Sequence, residues 1–152
     1  MAFISAEARA RLLDAVAEAI ERIGLALAAL EAAYERLDEH SADRLEEELF
    51  RPVQTAYGRA QRTFAAFAER HGLPGRTFSP APPARAGDGV GVLLDAALVA
   101  VREADDLLSS LQNSMLPVEF GDVELRAGLT EVRALLSEVP GRARELLRGL
   151  GR

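Results

Sequence analysis

The sequence contains no cysteine, so disulfides, thiolate catalysis and cysteine-based zinc sites are excluded. Lysine is missing as well: all 18 positive charges are arginine. Together with abundant Ala, Leu and Gly, that usage points to a GC-rich bacterial genome. Tryptophan is absent and aromatics make up only 5% of the residues. The core must therefore be built from Leu, Val, Ile and Ala, which favours helix over strand. Only two histidines are present, His40 and His71. Neither is preceded three residues earlier by Glu, so the Glu-x-x-His pattern of di-iron bundles is missing. No apolar run is long enough for a signal peptide or a membrane span. The expectation is a soluble, cytoplasmic chain without stable membrane association.

What is present is 49% apolar residue content in 152 residues, enough for one domain with a real core. Net charge is −6, which argues against nucleic acid as a partner. The charge is segmented. Residues 1–50 carry 12 acids against 5 Arg, and residues 51–87 carry 6 Arg against 1 acid. Residues 88–139 are acidic again, and residues 140–152 are basic.

Apolar periodicity predicts an all-α four-helix bundle with helices over about 6–39, 42–71, 90–113 and 122–150. In the first helix Leu13, Ile20, Leu27 and Tyr34 recur every seven residues, with Val16, Ile23, Leu30 and Leu37 three later. Ala19, Ala26 and Ala33 form a small-residue column beside them. Ser5 and Ser41 are the expected N-caps of helices one and two, and Gly72 the stop of the second. Pro52 is expected to kink or restart helix two. Asp122 is the expected cap of the fourth helix, which should kink or break near Pro140. Leu146, Leu147 and Leu150 are expected to pack onto the bundle end.

A flexible Pro/Gly-rich connection, residues 73–89, joins helices two and three. Its 17 residues span at most about 56–61 Å when extended, so it could turn back or cross the whole bundle. It should lie within a single domain covering 1–152, because two separate hairpins would leave marginal cores.

No catalytic constellation is readable. The seam positions of helices one and three are apolar in their central stretch, with polar exceptions such as Arg9, Glu46 and His71 near the ends. No cofactor is implied. His71, close in sequence to Thr77 and Ser79, reads as a helix C-terminal histidine favoured by the dipole. Two features have functional content. Arg51, Arg59, Arg62 and Arg70 fall within about a 100° arc of helix two and are continued by Arg76. Arginine suits carboxylate recognition, so this stripe is expected to hold an acidic protein partner, a second copy included. Leu25 and Leu12, outside the main seam, add to the case for a homo-oligomer. The primary reading is a non-enzymatic interaction or assembly module. The alternative uses acidic pairs on helices one and three, Glu18, Glu21, Glu103 and Asp106, around a divalent metal, as an enzyme or small-ligand binder. A weaker reading places a ligand groove under the connection, walled by Phe78, Phe120 and Met115.

Overall fold

The computed structural model describes residues 2–150 except Pro80, Pro83, Ala84 and Ala86, and for Ala2 and Phe3 the backbone alone. Every regular element among them is helical. The order is α1 (Ala2–Glu35), α2 (Glu39–Leu45), a π-helical turn (Glu46–Phe50), α3 (Arg51–Arg70), α4 (Val90–Asn113), α5 (Leu116–Glu119) and α6 (Val123–Leu150).

The first boundary differs from the sequence expectation. Helix α1 is already formed at Ala2, so Ser5 lies inside it and is not a cap. It ends at Glu35, four residues short of the expected 39. The chain turns through Arg36 and Leu37 by 3₁₀-type bonds, and Asp38 is extended. The Asp38 carboxylate accepts the Ser41 N–H at 2.7 Å, so Asp38 caps α2 and Ser41 is helical. That hydrogen bond also holds the Asp38 carboxyl below its ordinary pKa. Two good capping residues stand three apart, and the earlier one wins.

The expected helix 42–71 becomes α2, the π turn and α3. Pro52 is the reason. It has no N–H to give Glu48 O, its partner four residues back. The chain widens one turn before it, and the Arg51 N–H donates to Glu46 O, five residues back. The freed Glu48 carbonyl accepts the Arg142 guanidinium at 3.4 Å. Pro52 then falls at the start of α3, where a missing N–H is tolerated. At the other end Gly72 has φ +66°, and its N–H and that of Leu73 close onto Glu69 O and Ala68 O. This is the Schellman pattern, and Leu73 packs on the core as the pattern requires.

Helix α4 covers Val90–Asn113, as the spacing predicts. The stretch 114–122 is more ordered than a plain break: Leu116–Glu119 form one helical turn. Asp122 Oδ1 accepts the Leu125 N–H at 2.8 Å and so caps α6. Of the kink or break expected near Pro140, the break does not occur: α6 is one helix through that residue. Buried Leu136 and Val139 before it, and Ala143 and Leu146 after it, anchor both halves to the core and offset the roughly 3 kcal/mol that proline costs inside a helix. Leu147 and Leu150 rest on the same core, half-buried.

The four long helices form a ring. Helix α1 packs beside α3 and α4, and α6 beside the same two; among the described residues no Cα of α3 comes within 8 Å of one in α4, nor one of α1 within 8 Å of one in α6. Arg9 reaches Phe120 O and Arg22 reaches Glu103, so α1 and α4 are antiparallel. Arg70 with Asp122 and Arg59 with Glu131 make α3 and α6 antiparallel. Asp105 with Arg133 does the same for α4 and α6. The directions are up, down, down, up, and the 71–89 connection must climb the length of the bundle. Its described residues do so along α1: Arg76 pairs with Asp14 at 3.1 Å, and Arg85 O accepts Arg36 at 3.3 Å. Phe78, between them, packs edge-on to Phe64 at 5.3 Å.

One apolar core runs through all four helices, and among the described residues Thr63 is the only buried polar side chain. The widest interface, α1 with α4, places small residues on both sides, with Ala19, Ala26 and Ala33 facing burial as fully as the leucines. Leu12 is fully buried as well. Those four residues are thus covered within the chain and offer nothing to a second copy. Leu25 remains exposed. No helix among the described residues is long and apolar enough to cross a membrane.

Candidate functional site

The ring has two opposite flanks, and each carries a charged groove. On the α1–α4 flank, Glu18, Glu103 and Asp106 line a cavity of about 240 Å³ with Arg22, Leu107 and Ser110. Three of the four acids proposed for a metal therefore meet, while Glu21 lies outside this groove. All four are solvent-exposed. Arg22 lines the same groove, with its Nε 3.2 Å from Glu103. Among the described residues no three acids or histidines lie close enough to share a metal ion.

On the α3–α6 flank, Arg59, Arg62 and Arg70 line a cavity of about 360 Å³ with Glu124, Val123 and Ala127. The stripe predicted from sequence is real as a placement, but its members differ in state. Arg59 donates to Glu131 at 2.6 Å. Arg70 grips Asp122 through both Nε and Nη2 at 2.8 Å. Arg76 is drawn to Asp14 and lies over Phe64, 5.6 Å from the ring centre. Arg51 and Arg62 are exposed and form no ion pair among the described residues. A cavity with one unpaired guanidinium, two paired ones and an exposed Val123 can take up a carboxylate from outside.

Asp122 is the most heavily used carboxylate. Burial pushes its pKa up, but the Arg70 guanidinium, the Leu125 N–H and the His71 ring together outweigh that and hold it well below the ordinary range. His71 Nε2 stands 3.0 Å from Asp122 Oδ2 and its ring tilts against Phe67. This cluster pins the end of α3 to the start of α6. His71 points to Asp122 rather than to Thr77 or Ser79, so its role is that of a tie between helices.

The third region is the groove between α1 and α3, roofed by the crossing connection. Phe78 does line it, as expected, but Phe120 and Met115 sit in the α4–α6 connection and do not. The sequence reading missed Phe50, Tyr57, Glu31 and Gln61, which line the part nearest the α1–α3 turn. Leu27 and Tyr57 are only half-buried, an opening between α1 and α3 that spacing along either helix does not announce.

Comparison with protein-family models, with curated proteins and with solved structures finds no match to this chain.

Proposed function

We propose that this chain is a non-enzymatic helical interaction module that assembles head to tail through its two charged flanks. The observation that carries the reading is their complementarity. One groove holds three arginines and a glutamate; the other holds three acids and an arginine. They also lie at one height along the bundle. Gly24 stands against Tyr57 across the α1–α3 interface, so Glu18, six residues earlier, is level with Thr63, six residues later. Because α1–α4 and α3–α6 are opposite sides of the ring, the contact is heterologous, and copies add in a row rather than closing as a two-fold dimer. Arg62 supplies the free positive charge of its groove, with Arg51 exposed further along the same helix; Glu18 and Asp106 supply the free negative charge. Among the described residues the interior is apolar apart from Thr63, whose hydroxyl donates to Arg59 O at 2.8 Å, which supports this reading.

Sedimentation velocity at high micromolar protein tests this. Association should be evident at low ionic strength and weaken as salt screens the flanks. A monomer at every concentration and ionic strength would remove the self-assembly reading. Retained association at high salt would transfer it to an apolar contact such as Leu25.

A further inference from the structure

We propose that the groove between α1, α3 and the crossing connection binds a small lipophilic organic cation. The chain has six Phe and two Tyr, and three of these eight rings, Phe50, Tyr57 and Phe78, line a single cavity of about 320 Å³. That volume suits a small organic molecule. Leu27 and the Gln61 amide complete the wall, and among the described residues Glu31 is the only charged side chain on it. Glu31 is exposed at the rim and forms no ion pair among the described residues.

Aromatic faces carry negative quadrupole potential and attract a cation that approaches within about 6 Å, most strongly when water is excluded. A carboxylate at the rim adds to that attraction, and both features disfavour an anion. A neutral ligand would gain only from apolar burial. The neighbouring cavity, about 390 Å³, shares Gly24, Tyr57, Phe78 and Ala81 with the first and carries Arg22, Arg76 and Glu21. Its two guanidinium groups repel a positive head. The ligand therefore lies with its cationic end beside Glu31 and any apolar tail directed past Phe78. Phe78 is held from behind by Phe64 and by the Arg76–Asp14 pair, so the roof is anchored near the site.

The test compares phenyltrimethylammonium with its uncharged isostere tert-butylbenzene, followed by amide NMR shifts in the full chain. The cation should shift the amides of Gly24, Glu31 and Tyr57 in a saturable way and bind more tightly than the isostere. Glu31→Gln, a surface change that leaves the core intact, should weaken the cation roughly twofold to fivefold and leave the isostere unaffected. Tyr57→Leu should weaken the cation by a similar factor, roughly twofold to fivefold. Equal affinity for the two probes, unchanged affinity in Glu31→Gln, or no saturable shift would each overturn the proposal. None of these residues lies on the charged flanks, so the outcome is independent of self-assembly.

Discussion

Gly128→Ala should destabilise this protein, although Ala is the better helix former. Gly128 is buried on α6 where that helix meets α3. A Cβ there would fall on the Thr63 side chain: 2.7 Å from Cγ2, 3.0 Å from Cβ and closer still to Oγ1. Real Cβ atoms essentially never come within 3.0 Å of a neighbour. Thr63 cannot easily swing away. It is β-branched, 4% exposed, and its hydroxyl donates to Arg59 O at 2.8 Å. Overpacking of this kind costs about 1–3 kcal/mol. The helix-propensity gain of Ala over Gly returns about 1 kcal/mol. With two contacts under 3.0 Å the cost sits in the upper part of its range, so the net loss should be about 1–2 kcal/mol. For a chain of this size that lowers the melting temperature by roughly 2–8 °C. The decisive assay is a double-mutant cycle by thermal or urea unfolding. In a Thr63→Ala background the clash is largely gone, and Gly128→Ala should become neutral or stabilising. If Gly128→Ala has the same effect in both backgrounds, or stabilises the parent chain, the close α3–α6 approach described above is wrong.

Two further tests concern charge. The Asp122 carboxyl is lowered in the folded chain, so the unfolded chain binds the extra proton and stability rises with pH through that window. Asp122→Asn, which retains a capping side chain but loses the charge for Arg70, should cost roughly 1–2 kcal/mol at neutral pH. Its deficit should be full above about pH 4 and shrink on acidification as the parent carboxylate is protonated. Chemical unfolding of both proteins from neutral to strongly acidic pH checks this, and a deficit that stays constant into acid would refute it. Millimolar Mg²⁺ or Mn²⁺ should leave the melting temperature unchanged, because Arg22 already serves Glu103 in the acidic groove. A rise would follow from metal binding to the folded state and would restore the acidic-pair reading.

The sequence and the structure agree where a local signal decides. Helix α4 starts after Gly89 and ends at Asn113, and Gly72 and Asp122 act as stop and cap, because backbone chemistry at single residues fixes those points. Competing local signals were not separable. Asp38 and Ser41 are both good caps, and only the turn through Arg36 and Leu37 favours the first. Pro52 announced a disturbance, but not that a π turn would absorb it one turn earlier. Pro140 announced a kink or a break, and packing on both sides keeps the helix continuous. The crossing of the connection was beyond the sequence, since 17 residues reach either end of the bundle. So was the state of each arginine. Helical spacing places Arg59, Arg62 and Arg70 together, yet which of them finds an acid depends on α6 being the neighbour. The aromatic cavity went unread for the same reason: Glu31 and Phe50 are 19 positions apart and meet only through the α1–α3 turn.

A charge-swap mixing experiment bears most directly on assembly through opposite flanks. One variant carries Arg51→Glu and Arg62→Glu; the other carries Glu18→Arg and Asp106→Arg. Each alone should sediment as a monomer at low salt, because its two flanks then bear like charge. Mixed in equal amounts they should associate, since each provides the flank the other lacks. Association of either variant by itself, or a mixture that stays monomeric while the parent chain associates, would contradict it.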